Sequence, residues 1–237
     1  MLFKYHLKFV LVELNLVQKK NFHFIIPIYY LFLHLIFLNN QEYKQLIENV
    51  MSFQFRIQLK NVQKPPVWRK VIVPESFTFE QFHLVIQESF GWGNYHLYQF
   101  SPSGYGSNPV IANPSLDDWE KPAMNASKTK ISAIFKVENQ KFTYIYDFGD
   151  DWMHSILLEN IFPEKVMKAT CMDGKGSCPP EDCGGPWGYE RMKEILKDPN
   201  HKEYNEIKEW IGIEDKDDKF DVNNFNLETV NELLFEI

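Results

Sequence analysis

Ser52-Phe53-Gln54-Phe55-Arg56-Ile57-Gln58-Leu59-Lys60 alternates apolar and polar side chains without a break. Successive side chains of a β-strand point to opposite faces, so Phe53, Phe55, Ile57 and Leu59 line one side. Gln54, Arg56, Gln58 and Lys60 line the other, and the stretch reads as a half-buried strand. Lys64-Pro65-Pro66 ends it, because proline removes a ladder donor. Residues 67–73 read as a second strand, closed by Pro74. Thr78 then caps a helix, and Gln81 three positions on completes a capping box. Phe79, Phe82, Ile86 and Phe90 form the apolar stripe of that helix, and Gly91 closes it.

Working outward, residues 95–100 predict another strand. Residues 101–127 are rich in Ser, Pro, Asn and Gly and predict a long loop with a short edge strand at Val110-Ile111. Residues 131–137 fit either a strand or one helical turn. Residues 142–148 and 152–161 are two strands joined by Gly149-Asp150-Asp151 as a hairpin, and 166–170 add a further strand. The pattern then changes to helices over 189–197, 202–211 and 226–235. Strands first and helices last predict an α+β fold: a largely antiparallel sheet with helices on one face and a helical C-terminal third.

The chain has 237 residues, 44% of them hydrophobic and 20 of them Phe, enough for one sizeable, Phe-rich core. Its formal net charge is −7; the first 50 residues hold five Lys and three Glu of the 25 basic and 32 acidic side chains, leaving 20 against 29, or −9, for the rest. An acidic body disfavours non-specific nucleic-acid binding, which draws on Lys and Arg. A protein partner is left open. Three cysteines in a chain of this length do not form a disulfide scaffold, and their clustering points to a reducing, cytoplasmic setting.

Residues 1–50 form an apolar leader ahead of a domain over 51–237. Residues 22–38 (FHFIIPIYYLFLHLIFL) fall a little short of the ~20 needed to span a bilayer. Lys19 and Lys20 precede them, and no small-residue cleavage site follows. The leader reads as an over-extended start before Met51, as a membrane anchor through 22–38, or as an extra helix.

Two segments concentrate chemistry. Cys171-x6-Cys178-x4-Cys183 holds all three cysteines. The spacing is not that of a zinc finger, so a tetrahedral zinc site built on Cys171, Cys178 and Cys183 needs a fourth ligand, for which His154 and His96 are the candidates. Small apolar filling of a tight loop is the competing reading. Tyr146-Asp147-Phe148-Gly149-Asp150-Asp151-Trp152-x-His154 brings three carboxylates and a histidine into nine positions. Asp147, Asp150 and His154, with Asp182 from the Glu181-Asp182 pair after Pro179-Pro180, are the candidates for metal-assisted or acid–base catalysis. Turn formation explains Gly149-Asp150 equally well, and Glu181-Asp182 equally suit the start of a helix.

These residues together carry a resemblance. P-P-V-W-R-K at 65–70, Y-D-F-G-D-D-W-x-H at 146–154 and C-x-D-G-x-G-x-C-P-P-E-D-C-G-G-P-W-G-Y at 171–189 resemble the plasmid pRiA4b ORF-3-like family, from about Phe53 to the C-terminus. The chain also looks like passenger proteins of bacterial insertion sequences. The resemblance implies a compact α+β domain associated with mobile genetic elements, and no established biochemical role. The family often carries H-x-H after G-W; here the segment is His96-Leu97-Tyr98. The expectation is a binding or accessory protein whose polar site lies between the Asp147–His154 hairpin and the Cys171–Tyr189 loop. A metal-dependent hydrolase or nuclease and a purely structural domain are the alternatives.

Overall fold

In the computed structural model, residues 51–113, 124–213, 215 and 218–237 are described; the leader over 1–50 lies outside them. β1 (Ser52–Leu59) is an interior strand of an eight-stranded sheet. With β2 (Trp68–Pro74), β3 (Tyr98–Ser101), β4 (Ile111–Ala112), β5 (Met124–Asn125), β6 (Lys141–Tyr146), β7 (Trp152–Phe162) and β8 (Thr170–Lys175), the order is β5-β4-β3-β6-β7-β1-β2-β8. Every pairing is antiparallel except β4 with β5. The alternation read in β1 holds: Phe53, Phe55, Ile57 and Leu59 are all buried.

α1 (Phe79–Phe90) packs on the inward face of the sheet. Its Thr78 hydroxyl accepts from the Gln81 N–H at 3.2 Å, and the Gln81 side chain accepts from the Thr78 N–H at 2.9 Å. Gly91 at φ +82° ends it, its N–H donating to Gln87 O. The core is aromatic: Phe82 packs tilted against Phe55 at 4.7 Å between centroids, and Phe79 meets Phe100 at 4.9 Å and Phe135 meets Phe55 at 4.8 Å edge to face. Such pairs add about 0.5–1.5 kcal/mol each beyond area burial.

α2 (Ile131–Ile134) is a single turn, settling the strand-or-helix ambiguity there. α3 (Gly185–Ile195), α4 (Tyr204–Trp210) and α5 (Leu227–Leu234) make the C-terminal third helical. None of the described helices is long and apolar enough to cross a membrane.

β8 starts four residues later than its sequence suggests and runs through Cys171. On one side it pairs with β2. On the other, Asn231 of α5 replaces a strand: its carbonyl oxygen accepts from Cys171 N–H at 2.8 Å, and its amide donates to Cys171 O at 3.0 Å. The edge is thereby satisfied at that point without a further strand. Arg69 of β2 ties this end together. Its guanidinium is buried and donates to Ser89 O at 2.7 Å, Trp68 O at 2.9 Å, Lys175 O at 3.0 Å and Gly176 O at 3.1 Å. It lies over the rings of Phe90 and Phe225.

Candidate functional site

The hairpin between β6 and β7 places the first site residue. Asp147 follows β6 at φ +54°, a left-handed conformation that Asp tolerates through local hydrogen bonds. Its Oδ1 accepts from Gly149 N–H at 2.9 Å and Asp150 N–H at 3.3 Å. The turn thus occupies one carboxylate oxygen, and Oδ2 lies 3.8 Å from His96 Nε2.

The cysteine loop supplies the second side of the site. Asp150 Oδ2 accepts from Gly184 N–H at 3.1 Å, linking hairpin to loop. A side chain at Gly185, at φ +67°, would collide with the Asp150 carbonyl oxygen, so this close approach requires glycine. Trp92 Nε1 donates to Pro179 O at 2.9 Å and fixes the Pro-Pro segment. Glu181 Oε1 accepts from Tyr146 OH at 3.0 Å and from Gly93 N–H at 2.9 Å. Its Oε2 lies 3.8 Å from His96 Nε2, and Asp182 Oδ1 lies 3.2 Å from the same nitrogen.

Three carboxylates therefore surround one imidazole nitrogen. His96 Nε2 and Glu181 Oε2 are both buried without a hydrogen-bond partner. Among the described residues, His96, Asp147 and Asp182 form the set whose ligand atoms all lie within 4.8 Å of one another. Two ligands each about 2.0–2.2 Å from an ion stand at most about 4.4 Å apart, so only a small closure separates this set from coordination.

The structure redistributes the residues picked from sequence. Asp147, Asp182 and His96, one of the candidate metal ligands, come together. Asp150 does not; its carboxylate caps the loop at Gly184. His154 does not either. It is fully buried, its Nδ1 is 2.9 Å from Trp152 O, and its ring stands edge-on to Phe90 and Trp92. Burial pushes its pKa down to about 3, which holds it neutral. The catalytic set Asp147, Asp150, His154 and Asp182 is thus split between the site, a loop link and the core.

The cysteines are free and lie outside the His96 cluster. Cys171 is in β8, its thiol 3.5 Å from Asp173 O. Burial raises the pKa of all three thiols, that of Cys183 to about 12, despite Arg69 pulling Cys171 and Cys178 the other way. They behave as buried thiols packed against the core, not as thiolates. Glu181 is the site residue that the sequence candidates left out. Its signal was the Pro-Pro pair ahead of it, which holds its backbone in place.

The family profile described as plasmid pRiA4b ORF-3-like protein matches residues 51–229. The uncharacterised protein y4hQ of Sinorhizobium fredii is 37% identical over 166 residues, covering 69% of this chain and 82% of its own. The crystal structure of MM3350, a protein of unknown function from Methanosarcina mazei Go1, superposes with a TM-score of 0.64 at 34% identity, covering 76% of this chain and 97% of that one. The profile match spans both the hairpin and the cysteine loop that build the site, and the chain belongs to the plasmid pRiA4b ORF-3-like family.

Proposed function

We propose that this domain is a binding module whose polar site, where the β6–β7 hairpin meets the cysteine loop, holds one divalent transition-metal ion. The carrying observation is His96 Nε2 within 3.2–3.8 Å of Asp182, Asp147 and Glu181, with no hydrogen bond of its own. One imidazole and two or three carboxylates are a nitrogen–oxygen set suited to zinc or manganese. Tyr146 OH and Gly93 N–H donate to Glu181 from outside, the kind of hydrogen bonding that orients a carboxylate toward an ion.

Titration calorimetry with zinc and with manganese, on protein stripped by chelator, tests this. One ion per chain is expected, with His96→Gln and Asp182→Asn each weakening binding at least tenfold. Absence of stoichiometric binding, or binding untouched by both substitutions, would make the cluster an ion pair that serves only the fold.

Metal-dependent hydrolysis is the second reading. The Asp182 side chain is 70% exposed, which leaves an ion there open to water and substrate. A polyanionic substrate fits poorly with the acidic surface, so a nuclease is the weaker form of that reading. Three free thiols suit a reducing cytoplasm. An accessory role on a mobile element is the biological setting that the family's plasmid name suggests.

A further inference from the structure

His96 and Asn113 also line a pocket of about 250 Å³ between α1 and the segment leading into β3. Glu80, His83 and Leu84 of α1 line one wall, and Asn94, Leu97 and Tyr98 line the other. At about 30 Å³ per water-sized group, it holds about eight such groups, a small molecule and not a polymer segment.

The polar groups in the pocket are held in place. Gln87 Nε2 donates to Tyr144 OH at 2.9 Å, which leaves the Tyr144 proton for His83 Nδ1 at 2.8 Å. His83 is then the tautomer that carries its proton on Nε2 and donates it to Asn94 Oδ1 at 2.8 Å. Burial lowers the His83 pKa to about 4, so the ring is neutral. The chain of bonds fixes Asn94 with its oxygen turned to His83.

Tyr98 stacks flat on His83, ring centroids 3.6 Å apart at 8°, and its hydroxyl is buried with no hydrogen-bond partner. An unpaired buried hydroxyl is costly, and a ligand that pairs it recovers that cost. Glu80 and Tyr98 line this same pocket. No Lys or Arg is among the described residues lining the pocket, and three further carboxylates stand around His96 next door.

We propose that this pocket binds a small organic cation, a primary amine, with its ammonium between the Glu80 carboxylate and the Tyr98 hydroxyl. The ammonium donates to both oxygens. The carbon stem lies against Leu84, Leu97 and the Tyr98 ring, where cation–aromatic attraction adds to the fit. The site adjoins the proposed metal site through His96 but does not need the ion.

The test is titration of chelator-treated protein with n-butylamine, n-butanol and butyrate, followed by NMR and calorimetry. Butylamine is expected to bind in the millimolar range, at least tenfold more tightly than butanol or butyrate. Its shift changes should centre on Tyr98 and Asn94. Glu80→Gln should weaken it at least tenfold, and Tyr98→Phe several-fold while leaving the fold at least as stable. Asp182→Asn, which targets the metal site, should keep butylamine affinity within about threefold in the metal-free protein. Equal affinity for butyrate, or binding indifferent to Glu80→Gln, would overturn the proposal. Failure of the parent protein to bind zinc, with its butylamine binding intact, would sink the metal reading alone.

Discussion

Lowering the pH from 7 to 5 should destabilise this fold through two buried histidines. His83 and His154 titrate near 6.5 when unfolded, and burial lowers them to about 4 and about 3 in the fold. The unfolded chain therefore binds more protons below pH 6.5, and stability falls with pH there. The contribution is complete above pH 6.5. It is lost as pH falls, until it levels off near pH 4 for His83 and near pH 3 for His154. At pH 5 each unfolded histidine gains about 2 kcal/mol from its proton while the folded ones stay neutral, so the two together cost about 4 kcal/mol. That is a large share of the roughly 5–15 kcal/mol that holds a domain together. Urea unfolding followed by tryptophan fluorescence at pH 7, 6 and 5 measures it. His83→Gln and His154→Gln serve as controls, because other groups titrate in the same range. Each variant should start less stable at pH 7, having lost hydrogen bonds and packing, yet lose about 2 kcal/mol less than the parent on acidification. Parallel pH profiles for the parent and both variants would refute the assignment of neutral, desolvated rings.

Arg69→Met should cost about 3 kcal/mol or more in the same urea assay, since it strips the guanidinium from several carbonyls at once. Arg69→Lys should recover only part, because an ammonium cannot reproduce the fork. Gly188→Ala drives a Cβ into the Cys183 carbonyl oxygen. It should shift the start of α3, weaken metal binding more than tenfold through Asp182, and lower the melting temperature. Cys178→Ser with Cys183→Ser should leave the metal stoichiometry from elemental analysis unchanged, because neither thiol is in the His96 cluster.

The elements legible in the sequence are those whose signals are local. β1 carries its own alternation, α1 its own capping box, and the hairpin its own turn residues. Three features were not local. β8 (Thr-Cys-Met-Asp-Gly-Lys) is an edge strand with little apolar alternation, and it is a strand because β2 pairs one side and Asn231, 60 positions away, satisfies the other at Cys171. α3 begins at Gly185, ahead of the expected 189, because Pro186 suits a helix start even where Gly-Pro-Trp-Gly has little propensity. β5 has two residues and depends entirely on β4. In the site, Asp147, Asp182 and His96 were legible as chemistry-bearing residues, but His96 was grouped with the cysteines and His154 with the carboxylates. Strand alternation places His154 on the same face as Trp152, and in β7 that face is the core. The nearer histidine in sequence was therefore the buried one, while His96 approached from β3's entry segment.

The cysteine loop owes its shape to this arrangement. Asp150 reaches across to the Gly184 N–H, Gly185 lets the two backbones touch, and Trp92 pins Pro179. These contacts aim Glu181 and Asp182 at a nitrogen that Asp147 already faces. Nothing in folding alone favours gathering three carboxylates around one imidazole, because like charges at such distances repel and their desolvation is costly. Backbone donors and Tyr146 neutralise only the outer oxygens, Oδ1 of Asp147 and Oε1 of Glu181. The inner oxygens converge on His96, and a protonated His96 would supply one positive charge against three negative ones. The proposed divalent ion would balance that cluster better and would satisfy the unbonded atoms of His96 and Glu181.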